Sequence, residues 1–383
     1  MFGKRIRLFK ILGFEIRIDW SWFVILALVV WSLAGGVFPA ELPGHTTGAY
    51  ILMGLVAALA FFASIVVHEL CHSLVARRYG LTMEGITLFI FGGVSEMAEE
   101  PPNPKTEFLM AVAGPISSFV IGFVAVALSV LADGPAKAAP VFVTLRWIGF
   151  INIVLGAMNL VPGYPLDGGR VLRSILWHFK GNLRWATRMA SYAGEGFGLL
   201  LVALGAISIL MGGGIGGMWD ILIGWFLVTA ARQGYQQVLV KQMLQGEPVQ
   251  RIMTAEPVTV PPSLSLQDLV ENYIYRYHFK MFPVVEGDRL AGCVTTRDVR
   301  EVPRADWAAR TVGEAAGRCT DGAVIEAGAD AMAAMTKMAR TGTSRLMVVD
   351  GSRLLGIVSL KDVMAFLARK LELEGESPPG GGL

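Results

Sequence analysis

Long apolar runs alternate with short polar stretches over the first 240 residues, and the pattern changes after about residue 242. A helix that crosses a bilayer needs about 20 mainly apolar residues. Six runs qualify: residues 20–38, 49–74, 108–131, 141–160, 190–211 and 218–238. The last two are weaker, because Glu195 interrupts one and the other follows a glycine-rich turn at 212–217. Between the second and third runs lies GITLFIFGGVSEM, residues 85–97, too short to span and β-prone, with Gly92-Gly93 suited to a tight turn. Non-helical backbone survives at membrane depth only where protein or a watery cavity covers it. This stretch therefore reads as a re-entrant β-hairpin beside a cavity.

Beyond residue 242 the chain reads as soluble α/β, and it repeats. FPVVEGDRLAGCVTTRDV from Phe282 aligns with LMVVDGSRLLGIVSLKDV from Leu346, an offset of 64 residues. Gly287 matches Gly351, Gly292 matches Gly356 and Asp298 matches Asp362. Each copy predicts helix, strand, turn, strand, helix, and two such units are expected to pack together. The tail, residues 374–383, is rich in Gly and Pro and is expected to be disordered.

Composition agrees with a membrane protein. Of the 383 residues 54% are hydrophobic and 17% charged, where a soluble protein has about 25% charged. The net charge of +2 gives no reason to expect nucleic acid. Cys71, Cys293 and Cys319 form neither a CxxC nor an even set, which argues against a disulfide framework. Cys293 and Cys319 read as packed residues. Charges persist to Asp19 with no cleavage-site pattern, so the first apolar run reads as a span and not a signal peptide. Basic residues cluster in alternate segments: Lys4, Arg5, Arg7, Lys10 and Arg17; Arg77 and Arg78; Arg170, Arg173, Lys180, Arg184 and Arg188; Arg232 and Lys241. With an even number of spans, both termini are expected in the cytosol.

The second run ends in His68-Glu69-Leu70-Cys71-His72. Residues i and i+4 share a helix face, so His68 and His72 can grip one metal ion while Glu69 holds a water beside it. Ionisable groups in a membrane are costly and usually functional. A catalytic zinc takes three protein ligands and keeps one position open. The other histidines, His45, His178 and His278, are badly placed along the chain. A carboxylate is the better third ligand, and Asp167 stands out in NLVPGYPLDGGR, residues 159–170. Its prolines and glycines break the helix there, and the topology puts it on the same side as the histidines. Asp167 as the N-cap of the following helix is the competing reading. For Glu195, among Gly194, Gly196 and Gly198, close helix packing competes with a role as substrate gate.

HELCH, FGGVSEM, AVAGPISS at 111–118 and NLVPGYPLDGG together resemble the site-2 protease family of intramembrane metalloproteases, over roughly residues 15–240. The resemblance implies His68, His72 and Asp167 as zinc ligands, Glu69 as general base and Asn159 as a donor to the oxyanion. It also implies a membrane-anchored protein as substrate. Many members have Asn shortly after AGP, where this chain has Ser117 and Ser118. An extended substrate could add to the edge of the hairpin; a packing plug is the alternative. Residues 249–370 resemble tandem cystathionine β-synthase (CBS) domains, which commonly bind adenosyl nucleotides. Thr295 with Asp298 and Ser359 with Asp362 fit that family's pattern, implying a site for ATP, ADP or AMP; helix capping is the alternative.

The sequence thus predicts a polytopic α-helical membrane protein of about six spans with a re-entrant hairpin, followed by a cytosolic α/β tandem CBS module. The expected domains are 1–241, 249–303 and 308–370, with 371–383 as tail. Expected partners are the bilayer, a transmembrane substrate and a second copy through the CBS domains. A CBS-gated transporter or channel is the rival reading.

Overall fold

A computed structural model describes residues 6–90, 92–97, 100–131, 139–212, 214–317 and 321–373. Cys319 and the Gly/Pro-rich tail lie outside them. The chain divides into two compact units, Met1–Tyr235 and Gln236–Leu383.

The first unit opens with an element the apolar pattern does not reveal. β1 (Ile6–Ile11) and β2 (Phe14–Ile18) form a hairpin closed by Leu12 and Gly13, both at positive φ. Then come α1 (Ser21–Glu41), α2 (Thr47–Arg78), β3 (Met83–Phe89), β4 (Gly92–Met97), α3 (Pro104–Val130) and α4 (Pro140–Asn159). α5 (Asp167–Lys180), α6 (Leu183–Leu210) and α7 (Gly214–Leu244) complete the series. Among the described residues five helices, α1 to α4 and α6, are long and apolar enough to cross a membrane. The sixth expected span lies within α7. Thr46 and Asn103 cap the starts of α2 and α3 with side-chain oxygens.

The polarity of this unit is inverted in the way a bilayer demands. Leu52, Val56, Val120, Phe123, Leu200 and Leu204 are exposed on the spans, whereas His68, His72, Ser118 and Asn152 are buried. Lipid solvates the first set; the second must find partners inside.

The expected hairpin is present, but it is not alone. β3 and β4 are antiparallel, and β2 runs parallel to β3, giving a four-stranded sheet in the order β1-β2-β3-β4. Phe89 pairs with Gly92 and Leu88 with Gly93, so these two glycines lie in β4 and not in the turn. Ile16, Ile86 and Leu70 pack together beneath it.

The second unit contains the C-terminal end of α7 and a six-stranded sheet. Its strands are β5 (Thr254–Ala255), β6 (Met281–Glu286), β7 (Arg289–Thr295), β8 (Val324–Glu326), β9 (Arg345–Asp350) and β10 (Arg353–Ser359). Helices α8 (Thr296–Glu301), α9 (Ala331–Thr341) and α10 (Leu360–Leu373) accompany them. The repeat is visible in detail. Gly287 and Gly351 turn their hairpins at φ 62° and 61°. The two hairpins meet through matched residues: Leu290 N–H donates to Ser352 O, and Leu354 N–H donates to Asp288 O. One half is built on Leu266, Leu269, Phe282, Val284 and Val294, and the other buries Leu346, Val348, Val358 and Leu367.

Candidate metal centre

α2 presents His68 and His72 one turn apart, both almost fully buried. α5 brings Asp167 to them. Asp167 Oδ2 lies 3.0 Å from His68 Nε2 and 3.1 Å from His72 Nε2, and the two Nε2 atoms are 3.2 Å apart. These three residues form a group able to hold a metal ion. Asp167 is not the N-cap of α5. Leu166 holds that position, and Asp167 is the first helical residue, where the helix dipole favours a carboxylate.

The outer nitrogens are also engaged. His72 Nδ1 donates to the main-chain oxygen of Met110 at 2.6 Å, and His68 Nδ1 lies 2.9 Å from Ser118 Oγ. A carbonyl only accepts, so the His72 proton sits on Nδ1 and the Nε2 lone pair points inward. Both partners come from α3, which also supplies Gly114 between them. A Cβ at residue 114 would lie 2.2 Å from His72 Nε2 and 2.5 Å from His68 Nε2. Only glycine leaves the space in front of the imidazoles clear.

Glu69 faces the hairpin. Ser95 on β4 donates its hydroxyl to Glu69 Oε2 at 2.9 Å. A Cβ at Gly93 would meet Glu69 Cγ at 2.8 Å, so the glycine lets β4 lie directly over the carboxylate. Asn159 ends α4 with its amide on Leu155 O at 3.1 Å; the structure does not draw it into the His–Asp cluster. Ser95, Ser118 and the Met110 carbonyl were not singled out as contributors by sequence reasoning. Ser95 stood in FGGVSEM as part of a family marker, and Ser118 in AVAGPISS as a departure from the family's Asn.

In the second unit, Thr295 and Asp298 form a reciprocal cap on α8. Thr295 N–H and Oγ donate to Asp298 Oδ2, each at 2.7 Å, and Asp298 N–H donates to Thr295 Oγ at 3.3 Å. Ser359 and Asp362 repeat the arrangement at α10 with 2.8, 2.6 and 3.3 Å. The capping geometry is therefore present in both copies.

Comparison with known proteins agrees with both units. The family model for peptidase family M50 matches residues 56–142 and 130–203, and the CBS domain model matches 249–304 and 320–369. A Mycobacterium tuberculosis protein named "Putative zinc metalloprotease Rip3" is 36% identical over 92% of this chain and 90% of its own. Zinc metalloprotease MJ0392 of Methanocaldococcus jannaschii is 31% identical over 96% of this chain and 98% of its own. The solved site-2 protease from Methanocaldococcus jannaschii is 30% identical, covering 61% of this chain and 95% of that one, with a TM-score of 0.44. The class is thus a multi-pass membrane zinc metalloprotease. The chain belongs to peptidase family M50 and carries tandem CBS domains after its protease unit.

Proposed function

We propose that His68, His72 and Asp167 hold one zinc ion, and that Glu69 acts beside it as general base in cleaving a membrane-spanning substrate. Convergence carries this reading. Donor atoms from residues 95 and 99 positions apart gather within 3.0–3.2 Å. A transporter gated by CBS domains would have no need of it.

The donor set fits zinc. Two imidazoles and a carboxylate leave one tetrahedral position open, as catalytic sites require, and Gly114 keeps the approach clear. A zinc ion held by these residues would lower the pKa of a bound water toward about 7 and would polarise the peptide carbonyl. The remaining work belongs to the chain. Glu69, its carboxylate oriented by Ser95, accepts a proton and returns it to the leaving nitrogen. Asn159 donates to the oxyanion, for which its amide exchanges Leu155 O for substrate. An extended substrate adds to the outer edge of β4, the terminal strand of its sheet.

The same reading takes residues 1–241 as the protease domain and 249–303 and 308–370 as CBS domains, with both termini cytosolic. The CBS pair binds ATP, ADP or AMP through Thr295, Asp298, Ser359 and Asp362 and supports a homodimer. Each Asp uses Oδ2 in its cap, and Oδ1 is the atom offered to a ribose hydroxyl. The test is zinc content and cleavage of a model transmembrane substrate, for wild type and Glu69→Gln. One zinc per chain in both, with cleavage by wild type alone, is expected. Cleavage by Glu69→Gln at the wild-type rate would refute the assignment.

A further inference from the structure

The unit holds a second buried polar cluster, next to the His–Asp group and outside the chemistry above. Glu107, in the first turn of α3, is fully buried, and Arg173 on α5 is 3% exposed. Arg173 Nε donates to Glu107 Oε1 at 2.6 Å, and an Nη faces the same oxygen. Arg173 also reaches Glu100 Oε2 at 3.5 Å, and its guanidinium carbon lies 5.8 Å from the Tyr164 ring centroid. Tyr164 belongs to the loop that leads into Asp167.

We infer that the Glu107–Arg173 pair is a positioning device for the metal site, fixing the helix that carries Asp167 against the helix turn that orients His72. Glu107 lies three residues before Met110, whose carbonyl accepts the hydrogen bond from His72 Nδ1–H. Arg173 lies six residues after Asp167 on the same helix. Glu107, Met110, Gly114 and Ser118 follow one another at spacings of three and four along α3 and are all buried. They share one face and contribute, in order, a carboxylate anchor, a carbonyl, a gap and a hydroxyl. Burying two charges carries a desolvation cost that an apolar pair would avoid. What the ion pair adds is register: Arg173 closes on the single oxygen Oε1, which Arg170 Nε of the same helix also approaches at 3.9 Å, and these contacts hold only while α5 keeps its place along α3. α3 supplies Met110 O, Ser118 Oγ and the gap at Gly114, and α5 supplies Asp167 Oδ2, so the relative placement of these two helices sets the donor geometry.

The inference rests on the zinc ligand set proposed above, and its test separates the two. Zinc affinity is measured by chelator competition on full-length protein in nanodiscs, alongside its melting transition. Wild type and His68→Ala come first: zinc that is absent from wild type, or that survives His68→Ala, overturns the ligand set and this inference with it. Given a zinc lost in His68→Ala, Arg173→Met and Glu107→Gln are expected to weaken zinc about 10–100-fold in folded protein, the range for groups that orient ligands. Arg173→Lys, which keeps the charge, should lose less than Arg173→Met. Arg232→Met, which breaks the ion pair to Glu195 on α6 and α7, should leave zinc affinity unchanged. Folded Glu107→Gln or Arg173→Met with zinc affinity within threefold of wild type overturns the inference and spares the ligand set. Failure of both variants to fold assigns the pair to folding alone and also overturns it.

Discussion

Gly114→Ala tests the metal centre without touching a ligand. The new Cβ would lie 2.2 Å from His72 Nε2, 2.6 Å from His72 Cε1 and 2.5 Å from His68 Nε2. Non-bonded carbon contacts are comfortable from about 3.5 Å, so the rings must retreat by ~1 Å. Neither is free to do so: Met110 O holds one at 2.6 Å and Ser118 Oγ holds the other at 2.9 Å. Zinc–nitrogen bonds of about 2.0–2.1 Å tolerate errors of only ~0.2 Å, so a displaced ring ceases to be a ligand. Overpacking costs the fold about 1–3 kcal/mol, with about 1 kcal/mol more for each hydrogen bond broken. The effect on zinc should exceed the ~100-fold that marks the upper range for loss of a supporting group. Chelator competition and metal content of the full-length protein give the readout, with Gly196→Ala as control because nothing lies within 4 Å of its added Cβ. Gly114→Ala with a full zinc complement and affinity within threefold of wild type would refute the geometry.

Three further outcomes follow from particular contacts. Ser118→Ala leaves His68 Nδ1 without its hydroxyl partner and should cost about 10–100-fold in zinc affinity; an unchanged affinity would remove Ser118 from the site. Strand N–H groups alternate between the two edges, so one of Val94→Pro and Met97→Pro removes an outward N–H from β4. That variant should cleave at least ~10-fold more slowly while keeping its zinc, and full cleavage by both would discard substrate addition at this edge. Asp298→Ala and Asp362→Ala should each lower the stability of the CBS unit by about 1 kcal/mol through loss of a cap and abolish binding of ATP, ADP and AMP by calorimetry. Destabilisation in a protein whose wild type binds none of the three would leave capping as their function.

The spans and the motif were legible because both are local. Twenty apolar residues and an i, i+4 histidine pair need no knowledge of what packs against them. Asp167 was singled out because few carboxylates occupy a broken helix on the same side as His68, and the structure puts Leu166, not Asp167, at the N-cap. The N-terminal hairpin was missed because Arg7, Lys10 and Arg17 read as the basic flank of the first span, while only Phe14, Ile16 and Ile18 of β2 turn inward. The role of Gly93 was misread because its reason is tertiary: the side chain it accommodates belongs to Glu69. The Met110 carbonyl has no signature at all, since any residue has one. Ser118 looked like a departure from a family pattern, yet its hydroxyl occupies the position beside His68. For Thr295–Asp298 and Ser359–Asp362 the same atoms serve capping and would serve a ligand, so sequence pattern alone cannot separate the readings.

Depth along α2 explains why hydrolysis is feasible in such a protein. The helix has 32 residues, or ~48 Å at 1.5 Å per residue, against a hydrocarbon core of about 30 Å. It must therefore project beyond the core, and Arg77 and Arg78 mark its last turn, the place where cations meet headgroups and water. His72 lies six residues before Arg78 and His68 ten, distances of ~9 and ~15 Å along the axis. The proposed metal centre thus belongs to the end third of the helix, close to one face. The elements that close over it, the β3–β4 hairpin and α5, are not spans. They carry polar groups a bilayer core would not tolerate uncovered, among them Ser95, Arg170 and Arg173. The long hydrophobic helices fix the depth of the histidines, and the short polar elements supply Asp167 and the cover over Glu69.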